Sequence, residues 1–200
     1  MNPSGHSSFL RDKNLWIYFI KFAGIFCLLY FGTLTVIGIS APGGIYSPFV
    51  AKYFDYVSWI KISLIRATGF ILSIFGVGTH TEPGFLIRIN GGRGVIVSMN
   101  CVGYGVYSFW IAFVAANKGK LFKKIIWIAS GVLALWFINV IRITLFLVAI
   151  NKEWPMPLGI GHHTWFNIVA YLMIFILIWL YDRSSRVRVL KKGDSQNVGN

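Results

Sequence analysis

The sequence predicts an all-α integral membrane protein: about four transmembrane helices, an amphipathic helix on the outer face and a small extracellular hairpin. Three observations predict it. Of 200 residues, 56% are hydrophobic and 12% charged, where soluble proteins carry roughly a quarter charged. The apolar residues gather in long runs, and the net charge of +13 gathers in short clusters between those runs. This composition excludes a soluble enzyme and a disordered chain. It leaves room for four to six spans of about 20 residues and none for a separate catalytic domain. A single domain over 1–192 is expected, followed by a disordered cytoplasmic tail, 193–200.

The first span is expected from about Leu15 to Ile39, after Arg11 and Lys13, with Lys21 near enough to its start to snorkel. The run is too long for a signal peptide, and Ser40-Ala41-Pro42 is a poor cleavage site, so it reads as a retained span. Region 53–78 contains Asp55, Lys61 and Arg66 before the apolar stretch Phe70 to Val77. It reads as an amphipathic helix on the outer face, or a re-entrant one. Residues 84–100 place β-branched runs around Asn90-Gly91-Gly92, a hairpin signal. Further spans are expected at about Val102 to Ala116, Ile125 to Ile150 and Thr164 to Tyr181.

Lys118, Lys120, Lys123 and Lys124 precede one of these spans, and Arg183, Arg186, Arg188, Lys191 and Lys192 follow the last. Cytoplasmic loops collect such residues, so both termini are expected inside and the number of crossings even. The clusters then act as topology determinants, and no nucleic-acid partner is expected.

Three polar residues share one depth. Counting from the basic flanks at about 1.5 Å per residue, Cys101 lies about 26 Å up, Arg142 about 27 Å and His163 about 30 Å. That is the outer boundary of a hydrocarbon core about 30 Å thick. Arg142 alone could be an interfacial anchor. Asn139, three residues earlier on the same helical face, argues instead for a polar face inside a bundle. A zinc site of Cys101, His162 and His163 has no fourth ligand at this depth, so no metal is expected. Cys27, inside an apolar run, reads as a packing residue.

A thiol, a guanidinium and an imidazole are the groups that acyl transfer through cysteine requires. The thiolate is the nucleophile, and it forms more readily beside a cation or at a helix start. Imidazole accepts the thiol proton and later protonates the leaving amine. Arginine steadies the developing oxyanion.

Cys101-Val102-Gly103, Asn139-Val140-Ile141-Arg142-Ile143 and His163-Thr164-Trp165-Phe166-Asn167 resemble, in that order, the three motifs of the exosortase and archaeosortase family. The resemblance covers about Phe54 to Tyr181 and fits a short, Bacteroidota-like branch. It implies a membrane cysteine transpeptidase of the bacterial inner membrane, with its active site at the outer face and no cofactor. Its partners would be exported proteins with a C-terminal motif, a transmembrane helix and a basic tail, and an acceptor lipid or glycan bearing an amine or hydroxyl. Cys101 would be the nucleophile, Arg142 the stabilising cation and His163 the acid/base, with Gly103, Asn139, His162 and Asn167 supporting or binding substrate. Thr164 stands where an acidic residue is common, and Asn167 where many members have glycine. Two other classes compete: a non-enzymatic membrane assembly or export factor, and a transporter with Arg142 and His163 lining a polar path.

Overall fold

The computed structural model describes residues 13–41, 45–154, 164, 168 and 171–183. The expected tail, 193–200, lies outside them. The chain divides into two compact units, Met1–Ile62 with Ser98–Val132, and Ser63–Val97 with Leu133–Asn200.

The first unit is built on α1 (Lys13–Ser40) and α5 (Tyr104–Ala116). Aromatic residues recur every four positions along α1, and that spacing aligns them on one helical face. Tyr18, Phe22, Phe26 and Tyr30 form a continuous file with centroids 5.6–6.4 Å apart. The file meets α5 at Phe109, edge-on to Phe22 at 5.4 Å, and at Tyr104, 5.3 Å from Tyr30. Beyond them Lys118 Nζ donates to Asn14 Oδ1 at 2.9 Å. As the partner on α1 moves from 14 to 22 to 30, its contact moves from 118 to 109 to 104, so the two helices are antiparallel. Lys13 and Lys118 therefore sit at the same end of the pair.

The short helix that follows packs back against α1. Pro48 opens α2 (Pro48–Tyr53), where its missing N–H is no loss. Asp55 Oδ1 then accepts the Ser58 N–H at 3.0 Å and caps α3 (Tyr56–Ile74). Tyr56 OH donates to Thr33 Oγ1 at 2.7 Å, fixing the start of α3 beside α1.

The buried residues of α3 are Val57, Lys61, Leu64, Ile65, Thr68 and Leu72. Their spacing is that of a single helical stripe. Arg66 is exposed, but Lys61, at 5% exposure, belongs to the inner stripe. Pro48–Ile74 is also long and apolar enough to cross a membrane, as are Lys13–Ser40 and Leu121–Asn151. The helix α5 has 13 residues, fewer than the roughly 20 that cross a bilayer unaided.

The second unit holds a three-stranded antiparallel sheet, β1 (Thr79–Glu82), β2 (Leu86–Ile89) and β3 (Gly94–Ile96), in that order. Strand β1 is additional to the paired runs expected around residues 90–92. Ile87 and Val95 pair across β2 and β3, and both side chains are buried. Gly91, at φ 73°, takes the left-handed turn conformation that side chains resist. The long helix α6 (Leu121–Asn151) contributes its second half to this unit. There Trp136 Nε1 donates to Ser63 Oγ at 3.0 Å, and Asn151 binds the Arg93 backbone.

Candidate functional site

Cys101 lies in the first unit, in a single helical turn, α4 (Met99–Val102). The sequence suggested a long helix starting near Val102. Instead Gly103, at φ 72° and ψ 32°, ends the turn in the left-handed conformation, and α5 begins at Tyr104. The separation has a plain cause: without a Cβ, Gly103 adopts a geometry that costs other residues roughly 1–2 kcal/mol. Cys101 is thus detached from the long helix and precedes the start of α5, where Tyr104 meets Tyr30 of α1.

The Cys101 thiol is half-buried. Ser98 Oγ approaches Cys101 Sγ at 3.5 Å, in hydrogen-bonding geometry with the hydroxyl as donor. The Cys101 N–H donates to Ser98 O at 3.0 Å, so Ser98 fixes both backbone and sulfur. Val102 is fully buried and anchors the turn from its other side. Lys61, at 5% exposure, belongs to the same unit as Asp55 and Cys101.

Asn139 and Arg142 lie in the second unit, in the α6 stretch whose inner face is Leu135, Asn139, Val140, Ile143, Thr144 and Leu147. Asn139 is 8% exposed and sits among these apolar residues, and Arg142 is half-buried. Thr144 Oγ1 returns its proton to Val140 O at 2.8 Å, so its hydroxyl is spent within the helix. Among the described residues no carboxylate forms an ion pair with Arg142.

His162, His163 and Asn167 lie outside the described residues. Among the described residues, no three His, Cys, Asp or Glu side chains gather as a metal site. Sequence reasoning missed Ser98 and Lys61. Ser98 carried a signal in its spacing, three residues before the cysteine at a turn start. Lys61 carried one too, since it falls in register with Val57, Leu64, Ile65 and Thr68.

No family model, curated protein or solved structure matches the chain.

Proposed function

We propose that this chain is an exosortase-like cysteine transpeptidase of the bacterial inner membrane, one that cleaves the C-terminal sorting signal of exported proteins and transfers them to an acceptor. The observation that carries this reading is the position of Cys101. It lies at the end of the α1–α5 pair opposite the Lys118–Asn14 contact. A substrate anchored by a helix with a basic tail keeps that tail at the basic end, so its scissile bond reaches the level of Cys101.

The topology is four crossings with both termini cytoplasmic. Antiparallel packing of α1 and α5 supports this even count, because the end of α1 and the start of α5 then lie on one side. A single complete crossing between them would break that parity. Region 53–78 accordingly lies on the outer face or re-enters from it.

In the first chemical step His163 takes the Cys101 proton, and the sulfur forms a bond to the scissile carbonyl carbon. Arg142 steadies the oxyanion. When the C–N bond breaks, the imidazolium protonates the departing amine of the anchoring peptide and a thioester remains on Cys101. An amine or hydroxyl of the acceptor lipid or glycan then attacks that carbonyl and releases the thiolate. Gly103, Asn139, His162 and Asn167 support the site or bind substrate.

Co-expression with an exported protein bearing a C-terminal apolar helix and basic tail tests the reading. Loss of the tail with wild-type chain, and its retention with Cys101→Ala, is expected. Equal processing by both would overturn the enzyme reading and leave the assembly or export factor in its place.

A further inference from the structure

We infer that α2 and the residue after it form an interfacial anchor: Phe49, Tyr53 and Phe54 sit where headgroups meet acyl chains in the outer leaflet, and Lys52 faces lipid phosphate. The inference rests on the membrane reading of α1 and not on the chemistry of Cys101. The three aromatic rings gather in one cluster, with centroids 5.2 Å apart for Phe49 and Tyr53 and 5.8 Å for Phe49 and Phe54. Each of these residues nevertheless stays more than half exposed. Lys52 Nζ lies 5.3 Å from the centre of the Tyr53 ring, so a cation and a phenol border the apolar cluster. Bulk water suits exposed rings poorly, and an acyl core excludes the ammonium. The bilayer interface satisfies both, and helices that join lysine to aromatic residues settle there.

Two hydrogen bonds within the first unit bracket the depth of the cluster. Lys13 opens α1 at its basic end. Just before α2, the Ser47 N–H donates to Ile39 O at 3.1 Å. Ile39 stands about 39 Å from Lys13 along the helix, at about 1.5 Å per residue. Just after the cluster, Tyr56 OH donates to Thr33 Oγ1 at 2.7 Å, and Thr33 stands about 30 Å from Lys13 on the same scale. Residues 48–55 therefore join attachment points about 30 and 39 Å from the basic end. A hydrocarbon core about 30 Å thick, entered just beyond Lys13, ends inside that interval. Below it α1 exposes Leu28, Phe31 and Leu34, the surface that acyl chains cover. The positive charge of Lys52 then lies at the level of the phosphate groups, whose negative charge complements it.

Fluorescence quenching in vesicles of phosphatidylcholine and phosphatidylglycerol reads the depth. Full chain carrying Cys27→Ser, Cys101→Ser and Phe49→Cys is labelled with bimane. It is reconstituted with lipid bearing a nitroxide either high on the acyl chain, next to the glycerol, or near the chain's methyl end. A companion chain carrying only Cys101→Ser is labelled at the exposed Cys27, about 21 Å from Lys13 and so near the middle of the core. At position 49 the high nitroxide is expected to quench at least about twofold more than the deep one, and at Cys27 the order is expected to reverse. Lys52→Glu, added to the Phe49→Cys chain, is expected to lower quenching by the high nitroxide at least about twofold, since lipid phosphate then repels the helix. Deep quenching at position 49, or quenching by aqueous iodide alone, overturns the inference. So does a label that neither nitroxide nor iodide reaches, because a second copy or another protein then covers the rings. Unchanged quenching in Lys52→Glu overturns the contact with phosphate. If Phe49→Cys does not fold, Phe54→Cys carries the same label with the same outcomes. A label at Cys27 that escapes the deep nitroxide overturns the membrane placement of α1 itself, whereas processing by Cys101→Ala bears on the enzyme reading alone.

Discussion

Asn151, the last residue of α6, grips the backbone of Arg93 at two points. Its Oδ1 accepts the Arg93 N–H at 2.6 Å, and its Nδ2 donates to the Arg93 carbonyl at 3.1 Å. The residues are 58 positions apart, so the clamp ties the loop before β3 to the end of a helix. Gly92 leaves room for it, since a Cβ there would strike Asn151 Oδ1. Asn151→Ala is expected to cost about 1–2 kcal/mol, since it removes both bonds to Arg93 and a third from Nδ2 to Leu147 O. Asn151→Asp keeps the acceptor for the Arg93 N–H but sets a carboxylate oxygen against the Arg93 and Leu147 carbonyls at a helix C-terminus, and should cost at least as much. Thermal unfolding in detergent checks the order. Equal midpoints for wild type and Asn151→Ala would show that the clamp does not hold the sheet.

A second close approach lies within the first unit. Trp110, almost fully buried, donates Nε1–H to Trp127 O at 3.1 Å, and its indole lies against Gly131. A Cβ at Gly131 would collide with that ring. Gly131→Ala is expected to destabilise by about 1–3 kcal/mol, the range for overpacking a filled site. Trp110→Leu removes the ring and should make a following Gly131→Ala nearly neutral. The double-mutant cycle is the measurement, and strict additivity would refute the contact.

These two contacts also mark what the sequence could not disclose. The helices α1 and α6 were legible because their apolar runs are unbroken, and continuous apolar length is itself the physical requirement for residence in lipid. The short turn at Cys101 was not, because a glycine at position 103 fits a helix start and a left-handed stop equally well. Lys61 falls in register with Val57 and Leu64, and its burial follows that spacing rather than its charge. Asn139 and Arg142 share a face by their spacing of three; Asn139 is buried and Arg142 half-buried. The clamp between Asn151 and Arg93 leaves no periodic trace.

Glu82 gives the sheet an acid response. The Arg88 Nε–H, 2.6 Å from Glu82 Oε1, holds the carboxyl below the usual glutamate range, with His80 at 3.3 Å contributing in the same direction. A lowered carboxylate value means the folded sheet favours the ionised form. Its contribution is therefore complete above the ordinary glutamate range and is lost as pH falls through the lowered value. The pair is partly exposed, so the effect is small and weakens with salt. Amide exchange across Thr79–Glu82 and Leu86–Ile89, compared with Glu82→Gln at each pH, should show protection that falls in acid for wild type alone. Parallel curves would remove Glu82 as the cause.

The proposed chemistry makes the sharpest demand on the three residues of the acyl-transfer scheme. Cys101→Ser should abolish tail removal, since a serine hydroxyl in the same turn lacks the ready ionisation of a thiol. Arg142→Ala should lower the rate about 10²–10³-fold, the range for losing an oxyanion donor. Arg142→Lys should recover only part of it, because an ammonium keeps the charge and loses the planar fork. His163→Ala should cost at least about 10²-fold, with His162→Ala much milder. Membrane insertion of each variant, followed by its N-terminal tag, must match wild type for these losses to count as chemical. Under acceptor starvation the wild-type chain should accumulate a substrate-derived thioester that hydroxylamine releases and Cys101→Ser does not form. If Cys101→Ser, Arg142→Ala and His163→Ala all process at the wild-type rate, the residues are packing elements of an assembly or export factor and the transpeptidase reading is lost.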